Sequence, residues 1–425
     1  MNNSRFPKGS SRYINKLNKI KILNIIREKG SISRAGIAKI SGISAPTVTR
    51  IVGSLMTEEG LVHEIGAGTS SGGRRPTLIE FLGSDNFVIG IDLGSTHIYS
   101  MLCNLNAEIV ADEIRDTVVE DGFDRIMDTV GDVIDGLSKH PHIKGKKIFG
   151  VGLAVAGLIN RWENVVELSP DFHWNNVDII KTLSKRCDMP IIFDNVTRVM
   201  ALGELWYGIG DRIKNFIVVN VGYGIGAGIV IDGKPHYGPR GFAGEFGHIT
   251  LEKDSDAKCE CGNTGCLEAL ASGRAIALAA QKALGESAES ILFEACRNEL
   301  SEITAEMVAD AAKKGDRLAL EVFENAAEYI GIGIAGLINL LSPEAVLIGG
   351  GVSEAGDLLF DTVRRVVSSR ELHVASRKVL VEPVTFGMKT AAMGSVALIL
   401  NEVLHLNHRS EQNDRFQIDI DIADI

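Results

Sequence analysis

Two segments of the chain combine an apolar run with a glycine-rich turn directly after it. Residues 87–92 precede Leu93-Gly94-Ser95-Thr96, and residues 216–221 precede the loop 222–228, in which every second residue is glycine. Short apolar runs bounded by glycine predict buried strands, and we also expect a strand over 104–110 that forms a hairpin with the first run. From residue 87 onward, such strands alternate with helical patterns, so the main body of the chain is predicted to be α/β.

Charge is distributed unevenly between the start of the chain and the remainder. Residues 1–80 contain 13 Lys and Arg but only 5 Asp and Glu, a balance of +8, although the whole chain carries −11. The remainder holds 31 basic and 50 acidic residues, or −19. This asymmetry indicates a basic nucleic-acid-binding segment joined to an acidic body, with a merely solvated basic face as the alternative.

The basic segment contains three helical patterns with the spacing of a helix-turn-helix. The first covers residues 15–28, the second begins after Ser33 and the third after Ser44, with a turn at Gly42. The third helix has a continuous apolar face formed by Val48, Ile51, Val52 and Leu55. Small polar residues and one arginine on its outer face suit close entry into a major groove. The expected DNA contacts from this helix are Ser44, Thr47, Thr49 and Arg50.

Two strand patterns follow the third helix and predict a winged hairpin. They cover residues 61–65 and 77–81, and they flank a Gly/Ser-rich tip that ends in Arg74 and Arg75. Arginines on such a tip can lie in a narrow minor groove, where negative potential is concentrated. These two arginines are therefore added to the expected DNA contacts, and the alternative is a helical module that binds proteins instead of operator DNA.

No run of about 18 apolar residues occurs, and the first eight residues are polar. We therefore expect no membrane span, no secretory signal and a cytoplasmic location. Three of the six cysteines lie within residues 259–266, whereas Cys103, Cys187 and Cys296 are isolated. This distribution is typical of a metal site and not of a disulfide framework.

The second half of the chain carries two adjacent motifs. They are Gly244-Glu245-Phe246-Gly247-His248 and Cys259-Glu260-Cys261-Gly262-Asn263-Thr264-Gly265-Cys266-Leu267-Glu268. Together with the two glycine loops and a third strand-loop junction at Gly350, they resemble the signature of the ROK family of repressors, open reading frames and sugar kinases. The similarity covers nearly the whole chain apart from its C-terminal end, and the basic segment favours the repressor branch.

The resemblance implies an actin-like ATPase fold, related to ribonuclease H, in which two α/β lobes enclose a cleft. We expect a winged helix-turn-helix over residues 1–82, a first lobe over 83–196 plus 386–405, and a second lobe over 197–385. The family's loops border a nucleotide in the cleft. The matching positions here are Asp92, Gly94, Thr96, Gly222, Gly224 and Gly350.

The resemblance also implies a monosaccharide site. The matching positions are Gly157, Asn195, Glu245, His248 and Glu268. Carboxylate, amide and imidazole groups are directional partners for sugar hydroxyls. Asp171 lies in a segment similar to a sugar loop in which asparagine is common, or it caps a helix. Trp174 in the same segment is either a lid or a core anchor.

Two positions depart from the pattern of the kinases. Val196 follows Asn195 where the kinases have the aspartate that accepts the proton of the sugar hydroxyl, and valine cannot accept a proton. Tyr223 stands in the second loop where the kinases usually have threonine. Asp194 could act in a shifted register, but two residues along a strand displace a side chain by roughly 6–7 Å. We therefore predict no catalytic residue.

The spacing of His248, Cys259, Cys261 and Cys266 predicts a zinc site. His248 lies eleven residues before Cys259, and the set offers one nitrogen and three thiolates. Four protein ligands complete a tetrahedron and leave no open position for water, so the zinc is expected to be structural. Chance clustering of buried cysteines is the alternative.

Three functions agree with these patterns. The first is a repressor that binds operator DNA and a monosaccharide effector, as a homodimer or homotetramer, because a helix-turn-helix contacts one half of a palindromic site. The second is an ATP-dependent sugar kinase, favoured by the retained Asp92, Gly94 and Thr96. The third is a regulator controlled by a partner protein, which the intact sugar positions Glu245 and Glu268 make less economical.

Overall fold

The N-terminal part of the chain is a winged helix-turn-helix. A computed structural model describes residues 11–67, 75–161, 163–286, 290–297, 299–372 and 378–405. The first elements are α1 (Ser11–Lys29), β1 (Ser31–Ser33), α2 (Arg34–Ser41), α3 (Ala45–Thr57), β2 (Val62–Ala67) and β3 (Thr77–Phe81). Ser33 caps α2 by accepting a hydrogen bond from the amide of Gly36, and Gly42 ends that helix with a φ of 70°. The strand order β1-β3-β2 confirms the predicted wing and adds β1, which is too short for a periodic pattern.

The third helix buries the face that its sequence predicts. The four side chains Val48, Ile51, Val52 and Leu55 are each at most 2% exposed. Ser44 occupies the N-cap position of α3, but its hydroxyl lies 2.8 Å from that of Thr47 and does not cap a backbone amide. The apolar face therefore positions α3, while its start relies on Pro46 in the first turn.

The body begins with a five-stranded mixed sheet. Its elements, with a small second sheet and the helices around them, are β4 (Asn86–Leu93), β5 (His97–Asn104), β6 (Ile109–Asp116), α4 (Gly122–Ser138), β7 (Lys147–Val155), β8 (Leu158–Asn160), β9 (Val165–Ser169), β10 (Trp174–Val177), α5 (Ile179–Leu183), β11 (Ile191–Asn195) and α6 (Val196–Tyr207). The large sheet has the order β11-β7-β4-β5-β6, and β8, β9 and β10 form the small one. The predicted strand over 104–110 is wrong: β5 ends at Asn104, and the chain turns through Ala107, whose φ is 66°.

A second five-stranded sheet forms the other lobe. Its elements and those that follow are β12 (Phe216–Val221), β13 (Ile225–Ile231), β14 (Lys234–Pro235), α7 (Leu267–Ala271), α8 (Gly273–Glu286), α9 (Leu292–Ala295), α10 (Ala305–Lys313), α11 (Arg317–Leu341), β15 (Ala345–Gly349), α12 (Asp357–Arg370), β16 (Leu380–Pro383) and α13 (Thr390–His405). The strand order is β14-β13-β12-β15-β16. The two α/β lobes confirm the predicted fold class, whereas the lobe limits at 196/197 and 385/386 stay predictions.

Helices α6 and α13 lie between the two large sheets. Val199 and Leu202 of α6 and Leu398 of α13 share one apolar cluster with Val218 and Leu347 of the second sheet. On the first sheet, Cβ atoms point alternately to opposite faces of each strand. Thus Ile89 and Ile91 of β4 pack with α4, whereas the neighbouring Val88 packs with α13. None of the helices in the described ranges combines the length and hydropathy that a membrane crossing needs.

The two central helices touch through their backbones at a pair of glycines. A Cβ on Gly203 would lie 3.0 Å from the backbone of Gly394, and a Cβ on Gly394 would lie 2.0 Å from the carbonyl oxygen of Val199. Real Cβ atoms do not approach an oxygen so closely. Any larger residue at position 394 must therefore push α13 away from α6.

We expect Gly394→Ala to lower the free energy of unfolding by about 1–3 kcal/mol, because overpacking forces backbone shifts. Gly136→Ala is the matched control, since Gly136 lies inside α4 and its Cβ would meet no atom within 4 Å. That control should be roughly 0.5–1 kcal/mol more stable than the wild type. Denaturant titration of both variants measures the difference, and equal stability of Gly394→Ala and wild type would contradict the packing argument.

Candidate ligand-binding cleft and metal centre

A cleft of about 1320 Å³ brings together the residues predicted to border a nucleotide and those predicted to bind a monosaccharide. Its lining includes Asp92, Gly94, Thr96, Gly157, Asn195, Val196, Gly222, Gly224, Glu245, His248, Glu268 and Gly350. These residues come from strand ends and loops of both lobes. The cleft is therefore large enough for a monosaccharide and more, and it is bordered by convergent polar groups.

The first lobe contributes a rigid corner where β11 meets α6. Asn195 caps α6: its Oδ1 accepts a hydrogen bond of 2.9 Å from the amide of Thr197, and its Nδ2 donates one of 3.0 Å to the carbonyl of Gly157. Gly157 has a φ of 129°, and a Cβ there would lie 2.5 Å from the carbonyl oxygen of Leu168. Only glycine fits this position, so the amide of Asn195 is held in a defined orientation.

Val196 is the first residue of α6 and lines the cleft, whereas Asp194 does not. The side chain of Asp194 is 3% exposed, and its Oδ1 accepts a hydrogen bond of 2.9 Å from Nε of Arg198. Nη1 of Arg198 donates a hydrogen bond of 2.9 Å to the carbonyl oxygen of Gly241. Asp194 is thus committed to a buried ion pair, which opposes its use as a base in a shifted register.

The second lobe places two carboxylates on either side of His248. Oε2 of Glu245 lies 4.0 Å from Nε2 of His248, and Oε1 of Glu268 lies 4.0 Å from Nδ1. Oε2 of Glu268 also accepts a hydrogen bond of 2.9 Å from the amide of Ile225, which fixes the glycine loop to α7. Burial raises the pKa of Glu245 above its ordinary value. The arrangement offers acceptors and an imidazole to a hydroxylated ligand.

Four side chains beside this site form a cluster that could hold a metal ion. His248, Cys259, Cys261 and Cys266 bring one ligand atom each to within 4.8 Å of one another. Nδ1 of His248 lies 3.5 Å from Sγ of Cys259, and Sγ of Cys261 lies 3.8 Å from Sγ of Cys266. Ligands at zinc bond lengths with tetrahedral angles would be about 3.5 Å apart for nitrogen and sulfur and about 3.8 Å apart for two sulfurs. These residues fit a tetrahedral ion.

The glycine loops also border the cleft. Asp92 is the penultimate residue of β4, and burial raises the pKa of its carboxyl group from 3.8 to about 7. The amide of Gly94 donates to the carbonyl of His97 at 3.0 Å, which closes the first loop into a tight turn. Tyr223 in the second loop is 45% exposed and lies against the cleft, so its ring occupies space next to the loop amides.

Two further ionisable residues line the cleft. Asp171 lines the cleft, and burial together with the nearby carboxylates of Glu268 and Glu260 raises its pKa to about 7. The helix-cap alternative for Asp171 is wrong, because Ser169 holds the cap position there. Arg274 also lines the cleft and pairs with Glu260. In the sequence, Arg274 is a single basic residue after Gly273, and this signal was too weak to predict a role in the cleft.

Trp174 belongs to the core and is not a lid. Its side chain is 4% exposed, and its ring stacks on that of Phe172 with 4.3 Å between centroids. The ring of Phe123 meets it edge-on at 5.1 Å. This aromatic cluster supports the segment that carries Asp171 to the cleft.

The winged helix-turn-helix formed by α1 to β3 is called the head below. The residues expected to contact DNA that the structure describes lie on its outer surface. Ser44, Thr49, Arg50 and Arg75 are exposed, and Thr47 is half-buried. Arg50 donates a hydrogen bond to Oδ1 of Asn15 in α1. Arg74 lies outside the described residues.

Comparison with known proteins identifies the body. A profile of the ROK family matches residues 88–402. The chain belongs to the ROK family. A profile of winged helix-turn-helix DNA-binding domains matches residues 16–62, in agreement with the head.

The similar proteins include both repressors and kinases. The xylose repressor of Caldicellulosiruptor bescii is 33% identical over 398 residues, which cover 93% of this chain and 98% of that protein. A ROK family transcriptional regulator, described as a homologue of the Escherichia coli MLC protein, superposes with a TM-score of 0.77, 28% identity and 92% and 97% coverage of the two chains. A ROK family glucokinase from Streptomyces griseus, in complex with glucose and AMPPNP, gives a TM-score of 0.67 and 28% identity over 73% of this chain and 98% of that one.

The raised pKa of Asp92 predicts a pH-dependent stability. Between pH 4 and pH 7 the folded chain keeps a proton that an unfolded aspartate has lost, so the Asp92 contribution to stability declines as pH rises through this range. Asp92→Asn cannot ionise and should therefore gain much more in melting temperature relative to wild type at pH 8 than at pH 4.5. Thermal unfolding of both proteins at the two pH values measures this difference. Asp357→Asn, at an exposed site, is the control, and an equal offset of Asp92→Asn at both pH values would contradict the prediction.

Proposed function

We propose that this protein is a sugar-responsive transcriptional repressor that binds operator DNA through its head and a monosaccharide in its cleft, without phosphorylating the sugar. One observation carries the proposal. A DNA-binding winged helix-turn-helix is joined to a cleft that holds the family's sugar-recognition residues but presents Val196 where a kinase needs a proton acceptor.

Operator binding is supported by the charge and geometry of the head. The basic segment carries +8 and exposes Arg50 and Arg75, which would contact the DNA backbone, and electrostatic contacts of this kind supply most non-specific affinity. A winged helix reads one half-site, so a homodimer or homotetramer would read a palindromic operator. The similarity to a xylose repressor over 93% of the chain makes xylose the first sugar to test.

Sugar binding is supported by the fixed polar groups of the cleft. Asn195 and Gly157 are locked by hydrogen bonds and by backbone shape on one side. Glu245, His248 and Glu268 provide acceptors and an imidazole on the other. Preorganised partners of this kind bind hydroxyl groups without an ordering cost at the moment of binding.

Zinc is the metal that best suits the His/Cys cluster. Three thiolates and one imidazole are soft and borderline ligands, and the tetrahedral spacing agrees with zinc. With four protein ligands no position stays open for a reactive water, so the ion would be structural. It would hold His248 by Nδ1 while Nε2 faces Glu245 and the cleft.

A sugar kinase is the second candidate, because Asp92, Gly94 and Thr96 border the same cleft and the glucokinase of Streptomyces griseus superposes on the body. Val196 and Tyr223 oppose it. A valine cannot take the proton of an attacking hydroxyl, and losing a general base alone typically removes about 10²–10⁴ of rate. Trace turnover would therefore be compatible with the repressor, but efficient phosphorylation would not.

The test measures DNA binding and turnover on the same protein. A duplex selected by the full-length chain from a random-sequence library serves as the operator, and xylose, glucose and N-acetylglucosamine serve as ligands. We expect at least one sugar to change operator affinity with ATP absent, and none to be phosphorylated efficiently in a coupled ATP assay. Arg50→Ala should weaken operator binding and leave sugar binding intact. Efficient phosphorylation of any of these sugars by the wild type would favour the kinase instead.

Metal removal should affect the sugar site. Cys261→Ser is expected to lose one zinc ion per chain and, because His248 then loses its anchor, to weaken sugar binding about 10–100-fold. Metal analysis and titration calorimetry measure the two effects. Cys187→Ser is the control, since Cys187 lies in the first lobe and outside the cluster. Stoichiometric zinc in a Cys259/Cys261 double serine variant would refute the ligand assignment.

A further inference from the structure

Helices α6 and α13 both start at the cleft. Val196, Thr197 and Met200 in the first turns of α6 line it, and so does Ala391 at the start of α13. At 1.5 Å per residue, the twelve residues of α6 extend about 18 Å from Val196 to its other end. A ligand in the cleft therefore rests against the beginnings of two helices whose other parts lie elsewhere in the molecule.

Both helices also contact the DNA-binding head. Met393 and Val396 of α13 belong to the same apolar cluster as Ile22 and Ile26 of α1, and the two helices pack together. At the end of α6, the indole ring of Trp206 lies under the guanidinium group of Arg27, with 4.5 Å from Cζ to the ring centroid. Helices α6 and α13 thus connect the cleft with α1 by direct packing.

The two helices are built to move as one unit. Their backbones touch where Gly203 faces Gly394. One turn away from the cleft, the fully buried carboxylate of Glu204 accepts hydrogen bonds from the amide and the hydroxyl of Thr385, at 2.6 and 2.7 Å, just before α13. Close-packed elements with such contacts shift as rigid bodies and do not deform continuously.

Within the head, α1 continues the connection to the DNA-facing surface. Arg27 lies near the end of α1, and Asn15 near its start accepts a hydrogen bond from Arg50 of α3. Lys19 between them forms an ion pair with Glu59, after α3. A change in the tilt of α1 would therefore alter the position of Arg50.

We propose that α6 and α13 transmit occupancy of the cleft to the DNA-binding head, and that Arg27 and Trp206 are the positioning residues through which this coupling passes. The inference rests on the proposed function, because it requires a sugar that changes operator affinity. Neither residue lines the cleft, and neither lies among the expected DNA contacts. Their effect should therefore fall on the coupling between the two sites and not on either binding site alone.

The experiment measures operator affinity by fluorescence anisotropy with and without saturating xylose, glucose or N-acetylglucosamine. The ratio of the two affinities is the coupling factor, and by thermodynamic linkage the operator must change sugar affinity by the same factor. In Arg27→Met and Trp206→Leu the coupling factor should fall about two- to fivefold, the effect of one partly exposed cation–π contact. The double variant should lose no more than the stronger single variant, because both remove the same contact.

Conservative variants separate coupling from stability. Arg27→Lys and Trp206→Phe keep a cation and a ring face, so they should retain most of the coupling. Lys146→Ala is the matched control, because its ammonium lies 5.4 Å from the ring centroid of Phe87, which packs in the apolar cluster of α4 and not in the cluster that contains α1. It should leave the coupling unchanged.

The outcomes distinguish a failure of the proposed function from a failure of the coupling inference. Wild-type protein whose operator affinity responds to none of the three sugars would overturn the proposed function and the inference with it. A normal wild-type response that Arg27→Met and Trp206→Leu both keep in full would overturn the inference alone. Equal loss of coupling in Lys146→Ala would also overturn it, since the effect would then not depend on the contact between α1 and α6.

Discussion

The backbone contact between α6 and α13 at Gly203 and Gly394 determines how the two lobes are arranged. Because no side chain separates the helices at this point, both fit between the large sheets and share apolar clusters with each of them. The corner formed by Asn195 and Val196 is the start of α6, so the position of this corner in the cleft depends on the same contact. A wider spacing would move the sheets apart and change the shape of the ligand site.

On the opposite side of the cleft, His248 connects the candidate metal centre with the carboxylate of Glu245. One ring nitrogen lies at the spacing expected for a shared metal ion with Cys259, while the other faces Glu245. Glu268 connects the same region to the glycine loop through the amide of Ile225. Glu245, His248 and Glu268, the sugar-recognition groups that we propose in the second lobe, therefore lie in one connected cluster, in which a metal ion would fix the tautomer and the orientation of the imidazole.

The sequence predicted the features that arise from local patterns. Periodicity placed the buried face of α3, and the motifs from Gly244 to Glu268 identified the family and the residues that meet in the cleft. The strand predicted over 104–110 was wrong, because its alternation of polar and apolar residues imitates a strand, whereas Asn104 forms a turn there by accepting hydrogen bonds from the amides of Asn106 and Glu108. The contacts of Arg27 with Trp206 and of Gly203 with Gly394 could not be predicted, since each joins residues far apart in sequence. The roles of the cleft residues and the lobe limits stay predictions.

A valine at position 196 also agrees with the energetic needs of a sensor. In a kinase the cleft passes through sugar, transition-state and product complexes, so its average occupancy depends on turnover as well as on sugar concentration. In the repressor that we propose, the sugar would only bind and dissociate, so the occupied fraction would follow its concentration at equilibrium. A ligand can shift a conformational equilibrium only by its difference in affinity for the two states. In the coupling that we propose, an apolar group at the start of α6 would leave the binding energy available for moving that helix.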